Sequence, residues 1–478
     1  MNLSKTESAP SLADRLITYG QSGAYPFHMP GHKRQFRPFF DPYTMDITEI
    51  YGFDNLHHAE GILLEAQQRA AALYHASETF YLVNGSTCGI LAAVAAATKR
   101  GGKLLMARNC HKAAYHAALL NNLEVSYLYP AADMTRGLSG AIAPDEVERM
   151  LKKDASLRTV LITSPTYDGV CSDVRRIAEI VHRHEGILIV DEAHGAHFGM
   201  HPYFPEHALT CGADLVINSV HKTLPSLTQT ALLHVQGMRV DRERLKRFLG
   251  MYQTSSPSYV LMAGIDACVR MLLEHGPELF DTFAKRLEGL RKQLFCMQAL
   301  ELVRGTEPEL GAYDYDRSKI LVATHRSGIA GPELSGMLRS RYQLEMEMDS
   351  EHYVTAITTV ADTKEGLQRL AEALAAIDSE LECRTGKPAR PFAAWKNEAV
   401  LRIGEAAEAG KKSMLLAKSE GSISAEFVYL YPPGIPLLVP GERISGELLE
   451  KLLQYRANGF TLEGMADYRG EEIQVVKA

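Results

Sequence analysis

Between residues 78 and 235, short apolar runs rich in β-branched and aromatic residues alternate with longer Ala- and Leu-rich stretches of helical period. That alternation predicts a mostly parallel sheet wrapped by helices, because parallel strands covered on both faces read as unbroken apolar runs. Strands are predicted over 80–83, 104–107, 125–129, 159–163, 187–191, 215–218 and 231–235, with helices over 90–98, 144–153 and 174–185. In the last helix Val174, Ile177, Ile180 and Val181 share one side, the stripe that packs on a sheet. The expected class is α/β, with one large domain built on a seven-stranded sheet.

The flanks follow other patterns. Residues 1–55 are irregular, and AYPFHMPGHKRQFRPFFDPY is too aromatic for a solvated tail, so an arm packed on something is expected. A long helix starts within 257–275, strands follow at 319–323 and 353–357, and a helix covers 363–377. CRTGKPARP reads as a connection, and the prolines of YLYPPGIPLLVPGE exclude a central strand or helix. The expected organisation is an arm (1–55), a large domain (56–262), a small α/β domain (263–378) and a C-terminal unit (379–478).

Composition narrows the class without naming a chemistry. The 478 residues are 46% hydrophobic and 23% charged, values of a globular chain rather than a disordered one. A net charge of −7 offers no general attraction for nucleic acid or an anionic membrane. The 7 cysteines are odd in number and form no CxxC pair, which argues against a disulfide framework and a zinc site. The N-terminus has no basic start followed by an apolar run, and the apolar stretch at 89–97 is too short for a bilayer. A cytoplasmic location is expected.

The chemistry concentrates at predicted strand ends, where open α/β sheets place their ligands. Lys222 follows the strand 215–218 within Asn-Ser-Val-His-Lys-Thr, and the strand 187–191 ends in Asp191. A carboxylate closing a buried strand needs a cationic partner. A protonated pyridine ring would satisfy Asp191, and a nearby lysine would bind that ring's aldehyde as an imine, a combination that describes pyridoxal 5'-phosphate. Asn84-Gly85-Ser86-Thr87-Cys88-Gly89 follows a strand and opens a helix, so its N–H groups and hydroxyls suit the phosphate. His111, in NCHKAAYH after the strand 104–107, is placed either to stack on the ring or to cap a helix.

Together these segments resemble the Orn/Lys/Arg decarboxylase family of fold-type I pyridoxal-phosphate enzymes. The resemblance is carried in order by PFHMPGHKR, DITEIYGFDNLHHAEG, FYLVNGSTCG, RNCHKAAYHA, TSPTYDG, VDEAHGAHF, SVHKTLPSLTQTA, QTSSPSY and YPPGIPLLVPGE. It implies a fold-type I large domain with smaller α+β C-terminal domains. It also implies Lys222 as the cofactor-binding lysine, Asp191 on the pyridine nitrogen and His111 stacked on the ring. Gly85, Ser86, Thr87, Ser219 and His221 would surround the phosphate, Ala193 would pack on the opposite face, and His194 would lie close by.

The implied reaction is loss of CO₂ from a basic amino acid, with orientation selecting the bond that breaks. Lys222, His194 or His221 would return the proton, Lys222 being preferred. Asp168 and Glu442 are candidates for the cationic end of the substrate, each also readable as structural. No receiver-like domain precedes the arm, and this short form favours arginine over lysine or ornithine. A homodimer with shared sites is implied, the arm and residues 253–259 crossing between subunits. Two other readings stay open. One is transamination, for which Arg326 or Arg341 would hold the α-carboxylate; the other is a non-catalytic cofactor-binding protein. His194, His197 and His201 lack the accompanying ligands of a metal site, so no metal is expected.

Overall fold

The computed structural model describes residues 11–39, 41–384, 391, 395–431 and 434–477. Most of the expected connection 383–391, together with Pro432 and Pro433, lies outside the described residues.

The large sheet contains β1 (Glu78–Leu82), β2 (Lys103–Ala107), β3 (Glu124–Leu128), β4 (Thr159–Thr163), β5 (Ile187–Asp191), β6 (Leu215–Asn218) and β7 (Ala231–Val235). Their spatial order is β1-β7-β6-β5-β4-β2-β3. β7 runs antiparallel to both β6 and β1, and the pairs from β6 to β3 are parallel. Leu188, Ile189, Val190, Leu215, Val216 and Ile217 are all buried, as expected of strands covered on both faces. Ser86, Asn109, His111, Asp191 and Lys222 lie at or just beyond the C-terminal ends of β1, β2, β5 and β6, so the sheet brings them to one edge.

Two helices at that edge position the chemistry. α1 (Gly85–Ala97) starts five residues before the expected 90, so the glycine-rich turn is itself the first helical turn. Gly89 lies against β1 and β6: a Cβ there would meet Leu82 Cδ1 at 2.6 Å and Ile217 Cγ2 at 3.2 Å. α2 (Lys112–Leu120) is capped by His111, whose Nδ1 accepts from the Ala113 N–H at 3.2 Å.

A 4-stranded antiparallel sheet formed by Glu301–Leu302, Lys319–Ala323, Tyr353–Ile357 and Met348–Asp349 follows, reached by the helix Tyr259–Leu294, which continues through Pro277. The arm packs on this part: Tyr25–Phe27 pairs in parallel with Leu344–Met346. Lys33 is buried, with Nζ donating to the carbonyls of Pro26, His28 and Ile357. The C-terminal residues build their own core from Trp395, Leu416, Val428, Leu437, Ile444, Leu448, Leu452 and Ile473. Among its described residues the proline-rich segment contributes the short pair Val428–Tyr429 and Pro436–Leu438 and isolated bridges at Tyr429 and Glu442, as a segment excluded from central strands should. No helix among the described residues is long and apolar enough to cross a membrane.

Candidate active site

A cavity of about 260 Å³ at the C-terminal edge of the sheet is lined by Ser86, Asn109, His111, Asp191, Ala193, His194, His221 and Lys222. Seven of these were expected from the sequence; Asn109 was not singled out. Met29 of the arm, Tyr167, Glu347 of the small domain, and Tyr431 and Ile435 of the C-terminal unit complete the wall.

Asp191 is buried and Lys222 half-buried, and desolvation acts on them in opposite directions. It lowers the lysine, which Asp191 partly restores, and raises the Asp191 carboxyl, which the Lys222 charge and the Ala193 N–H (3.2 Å) oppose. Lys222 Nζ lies 3.0 Å from His194 Nε2. Burial holds three histidines neutral: His111 is pushed down to about 3, His221 to about 4, and His194 well below its ordinary value. In each, the Lys222 charge adds to the burial effect. Because His111 Nδ1 accepts the cap bond, the neutral ring carries its proton on Nε2. His221 Nδ1 faces the Thr230 carbonyl at 2.8 Å and so carries the proton there, leaving Nε2 as an acceptor.

These depressed histidines give stability a sign with pH. Unfolded, each takes up a proton near pH 6.5, whereas folded His221 waits until about 4. The unfolded state therefore binds more protons across that interval, and stability falls as pH drops from 6.5 towards 4. Thermal unfolding followed against pH should show this decline, with a shallower slope in His221→Gln. An identical slope in the variant would contradict the assignment.

The phosphate end is built from α1 and β6. Ser219 is buried and its Oγ donates to Ser86 Oγ at 2.9 Å. The first-turn N–H groups of α1 have no intrahelical acceptor, and the Asn84 side chain does not cap them. Two expected contributors stand differently. Gly85 uses its N–H on the Gln229 carbonyl (3.0 Å), so its part is conformational, at φ +72°. Thr87 is exposed and outside the cavity lining.

Both candidates for the cationic end of the substrate are corrected. Asp168 is buried beside Tyr353 outside the cavity, and burial raises its carboxyl to about 6. Its neighbour Tyr167 takes the cavity instead. Glu442 is buried in the C-terminal unit, accepting from Asn397 Nδ2 at 2.7 Å and the Val439 N–H at 3.1 Å, with Arg108 Nη2 at 3.5 Å. The carboxylate that does reach the cavity is Glu347: Oε1 accepts from Tyr167 OH at 2.7 Å and Oε2 from the Met29 N–H at 2.8 Å. It sits in LEMEMDSE, where acidic residues alternate with Met, a period-2 signal that marks one strand face without saying what that face meets.

The three histidines considered for metal have separate partners. His194 meets Lys222, His197 Nε2 lies 3.1 Å from Asp316, and the His201 ring stands against Phe204. A test of what the cavity would hold comes from its unmatched groups. Asp191 has no ion pair within 4.0 Å among the described residues, and the buried atoms Asn109 Oδ1 and His194 Nδ1 have no hydrogen-bond partner. A buried carboxylate, an amine on the cavity wall and an uncapped helix N-terminus suit a flat cationic ring bearing an aldehyde and a dianion.

The sheet order, its single antiparallel strand and a lysine-bearing edge define a fold-type I enzyme. The constitutive lysine decarboxylase of Escherichia coli superposes with a TM-score of 0.78 at 20% identity, covering 98% of this chain and 82% of the other. Residues 10–312 match the family model for the Orn/Lys/Arg decarboxylase major domain, and residues 400–463 that for its C-terminal domain. An arginine decarboxylase of Halalkalibacterium halodurans is 30% identical, with 99% of both chains covered. A lysine decarboxylase of Pseudomonas aeruginosa is 23% identical over 95% of this chain and 76% of its own. The chain belongs to the Orn/Lys/Arg decarboxylase family and is an amino-acid decarboxylase.

Proposed function

We propose that the protein decarboxylates arginine with pyridoxal 5'-phosphate as cofactor, releasing the amine and CO₂. The observation that carries this reading is that Lys222 and Asp191 line one cavity that also contains the fixed carboxylate of Glu347. The cofactor, when bound, supplies an electron sink for the pair left on Cα as CO₂ departs.

The chain's own residues supply the rest. Lys222 would hold the cofactor's aldehyde carbon, Asp191 its ring nitrogen, His111 one ring face and Ala193 the other. Ser86, Ser219, His221 and the α1 N-terminus would hold its phosphate. Glu347 is oriented through both oxygens, by Tyr167 and Met29, so it meets a cationic side chain without reorganising. Ile90, Pro165 and Ile435 give the wall an apolar part that limits water. Lys222 Nζ, beside His194 Nε2, is the group placed to hold a proton and return it to Cα.

End-to-end likeness to an arginine decarboxylase supports arginine over lysine and ornithine. Transamination is disfavoured because Arg326 and Arg341 pair with Glu301 and Glu380, outside the cavity. The same reading makes the protein a homodimer with shared sites. Tyr43, Ile50, Tyr51, Phe53 and Ile62, in or next to the arm, form exposed apolar surface that suits a second copy. It retains the division into arm 1–55, large domain 56–262, small domain 263–378 and C-terminal unit 379–478. A cytoplasmic location accords with 7 unpaired cysteines.

The test is CO₂ and amine release from arginine, lysine and ornithine supplied separately, with an oxo-acid acceptor as control. Arginine should give the highest kcat/KM. Glu347→Gln should raise KM for it by roughly 10–100-fold, the loss of a charge-assisted contact. Amine transfer to the oxo acid without CO₂ release would overturn the reading, and an unchanged KM in Glu347→Gln would remove the role of that residue.

A further inference from the structure

The ring of His111 is fixed at one edge and leaves little room for a side chain at the other. On one edge Nδ1 accepts from the Ala113 N–H at 3.2 Å, which fixes the ring to its own helix. On the other stands Gly434, from the C-terminal unit: a Cβ built there would meet His111 Cδ2 at 3.3 Å and Nε2 at 3.4 Å. Gly434 has φ +77°, a conformation L side chains rarely adopt, so the position combines close approach with left-handed backbone. Its carbonyl accepts from the Lys112 N–H at 3.0 Å and its N–H donates to the Leu430 carbonyl at 2.9 Å. The cap bond fixes one edge and a side chain at 434 would press on the other, so the ring keeps its plane against the cavity it lines because residue 434 has no Cβ.

This placement is anchored from behind. Arg108, buried at the start of the segment that carries His111, donates through Nη1 to the Pro436 carbonyl and Tyr115 OH, and through Nη2 to the Leu437 carbonyl. Glu442 faces Nη2 at 3.5 Å. Lys112 Nζ adds a bond to Tyr429 OH at 3.1 Å. Chain connections from Arg108 to His111 and from Gly434 to Pro436 close these contacts into a loop joining the large domain to the C-terminal unit. Tyr431 and Ile435, on either side of Gly434, line the cavity.

We propose that this turn of the C-terminal unit is a positioning element of the active site, with Gly434 the residue that sets the plane of the His111 ring for stacking on the cofactor. The inference rests on the pyridoxal-phosphate reading above. It gives the C-terminal unit a share in cofactor binding, although Gly434 itself lies outside the cavity lining.

A double-mutant cycle on the full-length protein tests it, using Gly434→Ala, His111→Ala and the pair. The readouts are the dissociation constant for added pyridoxal phosphate, the wavelength of its bound absorbance band and thermal unfolding without it. Gly434→Ala should weaken binding by about tenfold and move the band; in the His111→Ala background it should change binding by less than about twofold. The strain of a left-handed alanine is common to both backgrounds and cancels in the cycle. If Gly434→Ala alone fails to fold and the double variant folds, the clash with the ring is the cause and the proposal stands. Equal losses in both backgrounds, or failure to fold in both, would make Gly434 a structural residue independent of His111 and overturn it. Failure of the unaltered protein to bind pyridoxal phosphate would instead defeat the cofactor reading.

Discussion

Lys222→Ala should lower kcat by at least about 10³-fold and abolish the yellow colour of the loaded protein, because on the proposed reading it would remove both the covalent attachment point and the nearest proton carrier. Two fully buried lysines, Lys33 and Lys319, compete with the half-buried Lys222 for this role. Lys33 is tied to the carbonyls of Pro26, His28 and Ile357, and Lys319 lies 3.6 Å from Asp316. Neither lines the cavity, whereas Lys222 does. Lys222 is also lowered by burial, which keeps a fraction of its amine unprotonated and nucleophilic. Borohydride reduction of the loaded protein followed by peptide mapping should place the label on Lys222. A label on Lys33 or Lys319 would overturn the assignment, as would residual turnover within about tenfold of the unaltered protein.

How far the sequence could be read follows from where its signals are local. The strands at 159–163, 187–191, 215–218 and 231–235 run to the expected residues, because each is an apolar run buried on both faces and bounded by polar or small residues. The start of α1 was misjudged since Gly-Ser-Thr-Cys-Gly carries weak helix propensity. The close seat of Gly89 on Leu82 and Ile217 needs a residue without a side chain, and packing overrides propensity there. That Lys222, Asp191 and His111 come to one cavity was legible because each follows a readable strand. Glu347 was not: it comes to Lys222 only through the packing of the small domain on the large one. Asp168 failed for a related reason. Its motif identified the right segment, but which of two adjacent side chains faces the cavity is decided by packing, and Tyr167 is the one that does. Glu442 sits in an equally recognisable motif whose carboxylate meets Arg108 and Asn397.

Asp191→Ala should separate binding from chemistry. The helix end at Ser86, Ser219 and His111 are untouched by the change, so the dissociation constant for pyridoxal phosphate should rise by no more than about tenfold. Turnover should fall by about 10³-fold, or about 4 kcal/mol of transition-state stabilisation, because the buried anion that keeps the ring nitrogen protonated is gone. The variant should also carry a pH signature. In the unaltered protein burial lowers Lys222 and Asp191 raises it. Removing the carboxylate takes away the larger of the two charges that oppose burial, leaving only the weaker one of Glu347, so the Lys222 amine gives up its proton at lower pH. In the cofactor-free protein, the rate at which the Lys222 amine captures added pyridoxal phosphate should therefore have its pH dependence moved to lower values in Asp191→Ala and left near its original position in Asp191→Glu. A variant that loses binding and turnover together would mean that Asp191 acts as a structural anchor, and one with near-normal turnover would remove the electron-sink role from this carboxylate.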